Sequence, residues 1–308
     1  AKLQRGEEAR IRPCVGLGYC VDRVNQGKDA VCGHNAATGR EAQLPHCHEK
    51  SERRLKAVVV GGGPAGLDAA RILAERGHDV TLMEAASALG GQLRLASGSA
   101  TRAQVWGVAD WLISEVRRLS IDVQLNTFAE EEEVLALSPD VVIVATGGWP
   151  EPDEYEGAEL ALCSWDVLSG EATLAGQVLL LDEGGDQPAL VCAEALATSG
   201  CSVELVTPDR TIAHDLGPTN SAVFLKSLAG LGVGFSCFEE IGKIERDGNR
   251  KAVTLRHVLT GESRVRTVDH CVVERGLTPN DGLFFALKAK SMNKGQIDHQ
   301  ALINGGRA

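Results

Sequence analysis

The stretch that decides the fold is Leu55–Glu84, "LKAVVVGGGPAGLDAARILAERGHDVTLME". It opens on LKAVVV, a short apolar run with the composition of a buried strand. A glycine-rich turn follows. Then comes LDAARILAERG, in which Leu67, Ala70, Leu73 and Ala74 recur at helical spacing. Gly77 stands where a helix commonly ends. HDVTLME reads as a second strand. Strand, helix and strand in about thirty residues make a β-α-β unit.

The turn carries Gly61, Gly63 and Gly66 in Gly-x-Gly-x-x-Gly spacing, with Pro64 and Ala65 between the last two. Each glycine has a physical task. Gly61 permits a tight turn, Gly63 presents no side chain to a pyrophosphate, and Gly66 lets the helix approach the strand. The N–H groups and dipole at the helix start then favour phosphate. Glu84, at the end of the second strand and 18 residues after Gly66, can bond ribose hydroxyls. Together these features point to an adenine nucleotide. A β-α loop that binds nothing leaves both the glycines and Glu84 without a reason.

A second unit begins at Gln177, "QVLLLDEGGDQPALVCAEALATSGCSVELVTPD", and repeats the order strand, turn, helix, strand. Its turn reads Gly184-Gly185-Asp186-Gln187-Pro188-Ala189. Asp186 occupies the place of the second glycine and Ala189 that of the third. A carboxylate there repels a pyrophosphate, and Thr207 stands where the strand-end acid would be. The repeat is expected to keep the fold without the usual NAD(P)H site.

Elsewhere the pattern is coarser. GGQLRLAS reads as a loop, and Thr101 to Leu119 as one helix with Trp106 and Trp111 in the core or at a domain contact. IDVQLN is a strand, and Glu130 to Glu133 open a short helix, where acids suit the helix dipole. PDVVIVATGGWP is a buried strand running into a glycine turn. The alternating segment from Gly232 to Gly276 predicts a small sheet.

At 308 residues the chain has room for two domains. A net charge of −11 speaks against a nucleic-acid partner. No apolar stretch approaches 20 residues, so no membrane span is expected. Nine cysteines, an odd number, suit a reduced, cytoplasmic protein better than a disulfide framework. Cys192, Cys201 and Cys271 are expected to be small buried hydrophobes, and His214 a surface residue. No residue stands out as a catalytic acid, base or nucleophile.

Residues 1–52 lack periodicity. Cys14, Cys20 and Cys32 fall there in Cys-x5-Cys-x11-Cys spacing, and the segment ends in "LPHCHEKSERR". Three readings fit these residues: an iron–sulfur cluster with a further ligand, a zinc site completed by histidine, or three thiols without metal. His34, Cys47, His46 and His48 lie within reach in sequence.

From Ile11 to about Gln300 the chain resembles the C-terminal half of a flavoenzyme group. That group includes trimethylamine dehydrogenase, 2,4-dienoyl-CoA reductase and the N-methylproline and dimethylglycine demethylase-like enzymes. The motifs that carry the resemblance are IRPCVG with Cys20 and Cys32, HNAATGRE, VVVGGGPAGLDAARILAERGHDVTLMEAASALGGQL, DVVIVATGG and LTPNDGLFFALKAKSMNKGQID. The second unit looks most like the demethylase-like branch.

The resemblance implies an α/β fold. It has two Rossmann-like nucleotide-binding domains, the second inserted into the first, preceded by a cysteine-containing cluster segment. The implied boundaries are 1–52 for the cluster segment, 53–155 plus 276–308 for the FAD/ADP-binding domain, and 156–275 for the inserted NAD(P)-binding-like domain. It further implies a 4Fe-4S or 3Fe-4S cluster on Cys14, Cys20 and Cys32. FAD or ADP would lie at Gly61, Gly63, Pro64, Ala65, Gly66 and Glu84, bordered by Gly91, Gln92, Thr146 and Gly147. FMN belongs to an N-terminal barrel absent from this chain, which is then a fragment or one subunit of a split, oligomeric enzyme.

The implied function is the electron-transfer half of an FMN/iron–sulfur oxidoreductase acting on methylated amines or N-methyl amino acids. Its partners would be the barrel and an acceptor such as an electron-transfer flavoprotein. An NAD(P)H-dependent 2,4-dienoyl-CoA-type reductase and a non-catalytic ADP-binding scaffold are the alternatives. The chain departs from the group at Leu17, which stands where trimethylamine dehydrogenase has the second cluster cysteine.

Overall fold

The computed structural model describes residues 2–44, 47–152, 154–298 and 301. The backbone divides into two units. One comprises Ala1–Leu93, Val105–Gly148 and Pro279–Ala308; the other comprises Arg94–Gln104 and Trp149–Thr278.

The first unit is built on a parallel sheet of order β3-β2-β1-β4, with β1 at Lys56–Val60, β2 at Asp79–Met83, β3 at Asp122–Gln124 and β4 at Val141–Val144. The unbroken valines of β1 follow from burial on both faces, as expected of a parallel strand covered by helices. Ala57 and Val59 face one core with Leu67, Ala70, Trp111 and Leu112. Val58 and Val60 face another with Val134 and Leu287. Each fully buried valine is worth about 1.5–3 kcal/mol relative to exposure.

The helices over these faces are α2 (Pro64–Glu75), α4 (Gly107–Arg118), α5 (Glu131–Ala136) and α9 (Gly282–Lys288). Glu130 caps α5 in a capping box with Glu133, which accounts for the run of acids there. The N-terminal segment also belongs to this unit. It has two one-turn 3-10 helices, Leu3–Arg5 and Glu8–Arg10, and the short helix α1 (Tyr19–Asn25).

Two local expectations change. The single helix over 101–119 is instead a 3-10 turn, Ala103–Trp106, leading into α4. Gly107 marks the break: a Cβ there would lie 3.1 Å from Val15 Cγ1, so glycine lets the N-terminal segment pack on α4. Trp111 is buried, whereas Trp106 is only partly so and rests over Gly90. Within GGQLRLAS, Leu93–Ala96 forms the short helix α3 rather than loop.

The second unit has a five-stranded parallel sheet of order β6-β13-β7-β8-β9. Its strands are β6 (Leu162–Cys163), β7 (Gln177–Asp182), β8 (Ser202–Val206), β9 (Gly234–Ser236) and β13 (His270–Glu274). Helices α6 (Ser164–Leu168), α7 (Gln187–Thr198) and α8 (Pro218–Gly230) accompany it. β10 (Glu239–Asp247), β11 (Arg250–His257) and β12 (Ser263–Val268) form an antiparallel sheet, with a register shift at Gly242.

Val178 and Leu180 pack with α7 and α8, while Leu179 and Leu181 pack toward Val253 and Leu255 of β11. Cys192, Cys201 and Cys271 are buried, and burial pushes the Cys192 thiol pKa up. His214 is exposed. Arg94–Gln104 is tied into this unit by the Arg102 guanidinium, which donates to Asn220 Oδ1 at 2.8 Å and lies 4.5 Å from the Phe224 ring centre.

Two short strands, β5 (Gly148–Pro150) and β14 (Leu277–Pro279), fall where the chain passes from one unit to the other. Among the described residues no helix is long and apolar enough to cross a membrane.

Candidate functional site

The C-terminal end of β1 runs directly into the glycine turn. Gly61 has φ +109°, and a Cβ on it would overlap the Ala145 carbonyl, so the turn demands glycine. A Cβ on Gly66 would overlap the Gly61 carbonyl, because α2 begins against the strand that feeds it. Gly63 differs: a Cβ there would meet nothing nearer than Gly91 Cα at 4.0 Å. Gly91, at φ +51°, could not carry a side chain, since its Cβ would lie 2.9 Å from Gly63 Cα. Gly63 and Gly91 therefore form a backbone-walled cradle at the start of α2. No side chain caps that helix, and Pro64 occupies its first turn. Its exposed N–H end and dipole suit an anion.

Glu84 reaches the same turn from β2. Its Oε2 accepts from the Gly62 N–H at 2.5 Å and its Oε1 from the Ala86 N–H at 2.7 Å. The carboxylate is thus oriented at the mouth of the cradle. On the other side, Gln92 Nε2 donates to the Gly148 carbonyl at 3.3 Å. Thr146 Oγ1 donates to the Asn280 carbonyl at 2.5 Å, and the Asn280 N–H donates to the Gly147 carbonyl at 2.9 Å. Asn280 was not among the expected site residues. Its only sequence signal is its place in the LTPNDG stretch.

The three cysteines also meet. Cys14, Cys20 and Cys32 line one cavity of about 190 Å³, together with Leu17 and His34. Positive-φ Gly16 and Gly18 fold the chain around it, and Cys20 sits in the first turn of α1. Leu17 is in the wall: a Cβ on Gly33 would stand 2.9 Å from Leu17 Cδ1. Among the described residues no three His, Cys, Asp or Glu side chains converge tightly enough to hold a single ion. A lone zinc needs its donors about 2.0–2.3 Å away. Thiolates around a cluster bind different irons and so stand further apart. The donor set therefore fits a cluster better than a zinc ion.

The wall is reinforced by residues the spacing did not reveal. Arg12 donates to the His34 carbonyl, lies 3.5 Å from Asp68 of α2 and stacks 4.1 Å from the Trp111 ring centre. Trp111 Nε1 donates to the Arg10 carbonyl at 3.1 Å. The His34 N–H lies 3.4 Å from Cys32 Sγ. His34 itself is 6% exposed, and burial holds its pKa below the usual imidazole range. Cys47 and His48 line a different cavity, with Arg71 and Glu75. His46 lies outside the described residues.

The corresponding turn of the second unit is built differently. Asp186 is the N-cap of α7, and its Oδ1 accepts from the Gln187 N–H at 2.7 Å. The helix end that would hold phosphate already carries its own carboxylate. Behind it, Asp182 ends β7 fully buried. Its Oδ1 accepts from the Gly185 N–H at 2.9 Å, and its Oδ2 is a buried atom without a hydrogen-bond partner among the described residues. Burial, reinforced by the charges of Glu274 and Asp209, pushes its pKa up to about 7. Glu274, opposite Asp182 in the β13/β7 register, is also raised by burial and accepts from Ser164.

Comparison with known proteins agrees with this architecture. The family model described as pyridine nucleotide-disulphide oxidoreductase matches residues 55–303. The chain is 44% identical over 305 residues to a probable N-methylproline demethylase of Rhizobium meliloti (strain 1021), covering 99% of this chain and 45% of the relative. It is 40% identical over 312 residues to an N,N-dimethylglycine/sarcosine dehydrogenase of Chromohalobacter salexigens, covering 98% and 45%. Among solved structures, the 6-hydroxypseudooxynicotine amine oxidase of Pseudomonas geniculata N1 superposes with a TM-score of 0.86 at 25% identity, over 99% of this chain and 49% of that one. The chain thus spans about half the length of the proteins it matches. Two parallel-sheet units with a glycine cradle and a matched family model over most of the length lead to one assignment: the chain belongs to the pyridine nucleotide-disulphide oxidoreductase family.

Proposed function

We propose that this chain is the electron-transfer portion of an FMN/iron–sulfur oxidoreductase that oxidatively demethylates or dehydrogenates methylated amines or N-methyl amino acids. The observation that carries the reading is that one unit holds both a cavity lined by three cysteines and a backbone cradle at an uncapped helix start. The names of the two relatives supply the substrate class. Their extra length leaves room for an FMN-binding barrel, as a domain or a partner subunit. The reaction also needs an electron acceptor of the electron-transfer flavoprotein kind. The reduced thiols suit the cytoplasm.

A bound flavin would supply two-electron chemistry and a cluster one-electron carriage. The residues of this chain bind and orient. Cys14, Cys20 and Cys32 supply thiolates. Gly63 and Gly91 clear the approach to the start of α2, where Ala65 and Gly66 present backbone N–H groups to a pyrophosphate. Glu84 accepts from ribose hydroxyls while the Gly62 and Ala86 N–H groups hold it in place. Gln92, Thr146 and Gly147 would border a bound FAD or ADP. In the second unit the Asp186 carboxylate occupies the helix end. That disfavours the NAD(P)H-dependent reductase alternative.

The test is composition. The polypeptide carrying this chain, purified without air, should contain iron, acid-labile sulfide and a releasable adenine nucleotide. With its barrel portion present, an N-methyl amino acid should reduce it. Iron-free protein that retains nucleotide would support the scaffold reading instead. Protein lacking both would defeat the proposal.

A further inference from the structure

We infer that His34 Nε2 takes the place of the thiolate missing at Leu17, as the fourth ligand of a four-iron cluster held by Cys14, Cys20 and Cys32. The inference rests on the cluster reading above.

A four-iron cluster takes four protein donors as a rule, and leucine offers none. The candidates in sequence were His34, Cys47, His46 and His48. Of those described, only His34 lines the cavity of the three thiols. Cys47 is exposed and, with His48, lines another.

The hydrogen bonding of His34 fixes what its ring can do. Nδ1 lies 3.1 Å from the Pro13 carbonyl oxygen. A carbonyl only accepts, so Nδ1 carries the proton. A ring that carries its proton on Nδ1 keeps a lone pair on Nε2. That atom is buried with no hydrogen-bond partner among the described residues. An orphaned acceptor in the interior is unfavourable. Trp111 packs on the ring edge-to-face at 5.5 Å but gives no hydrogen bond to Nε2, because its own N–H is spent on the Arg10 carbonyl.

This is the arrangement of a ligating histidine: one ring N–H donated to a backbone carbonyl, the other nitrogen left for metal. The chain also ties His34 to the cysteines. Its N–H approaches Cys32 Sγ and its carbonyl accepts from Arg12. A neutral imidazole in place of a thiolate removes one negative charge and raises the reduction potential of such a cluster.

The experiment is pulsed electron paramagnetic resonance of the anaerobically purified, dithionite-reduced polypeptide, beside iron and sulfide analysis. The expected result is four irons per chain and a strong nitrogen coupling on the cluster signal. That coupling is lost in His34→Cys, whose midpoint potential falls. A Leu17→Cys/His34→Ala double variant, which rebuilds an all-thiolate set, guards against misfolding of the single one. It should keep four irons and lack the coupling. A cluster signal without nitrogen coupling in the unaltered chain overturns the assignment to His34. So does a three-iron signal that takes up no fourth iron. Absence of iron and sulfide overturns the cluster reading itself.

Discussion

Replacing Asp182 by asparagine tests the electrostatics of the second unit. In the fold this carboxyl titrates at about 7 against an ordinary value of 3.8. The gap, at about 1.4 kcal/mol for each tenfold change in acidity, is worth on the order of 4 kcal/mol. The sign follows from proton counting. Between about pH 4 and 7 the unfolded chain has released this proton and the folded one retains it. Stability is therefore fully present below the unfolded pKa and is lost as pH rises through the folded one.

The Asp182→Asn variant would keep a side-chain oxygen for the Gly185 N–H and would not titrate at this position. Urea unfolding at a series of pH values, followed by circular dichroism, should show the two proteins converging near about pH 3. They should diverge upward, with the variant more stable at about pH 8 by as much as about 4 kcal/mol. Glu274 and Asp209 place their charges beside this position in both proteins, so the comparison isolates Asp182. Parallel curves across that range would refute the reasoning.

Three further outcomes follow from the turns. Gly66→Ala should lower stability by about 1–3 kcal/mol through overpacking against the Gly61 carbonyl, measured by the urea midpoint. Glu84→Gln should weaken retention of adenine nucleotide by about ten- to a hundredfold, as expected for losing charge-assisted bonds, measured by calorimetric titration. Asp186→Ala should cost about 1 kcal/mol as a lost helix cap, measured by thermal unfolding.

Much of the first unit was legible because its signals are local. The valines of β1, the spacing of the three glycines and Glu84 each owe their role to neighbours within about thirty residues. The β-α-β part of the second unit was legible for the same reason, down to Asp186 at the broken glycine turn. But β9 and β13, expected in the small sheet of Gly232–Gly276, pair instead with β8 and β7 of the parallel sheet through contacts distant in sequence. The cysteine segment was legible only as spacing. Arg12, the orphaned nitrogen of His34 and the packing of Val15 over Gly107 depend on contacts from distant parts of the chain. No periodicity reports those. Asn280 reaches the glycine turn from far along the chain, so nothing beside it in sequence announces its place.

Arg12 has a mechanical consequence. It grips Asp68 on α2, the same helix whose first turn closes the glycine cradle. The cysteine segment and the cradle therefore hang from one rigid rod rather than from independent loops. Electron hopping weakens steeply as the gap between donor and acceptor grows. With both ends fastened to a single helix, the gap between the proposed cluster and nucleotide would be a dimension of that helix.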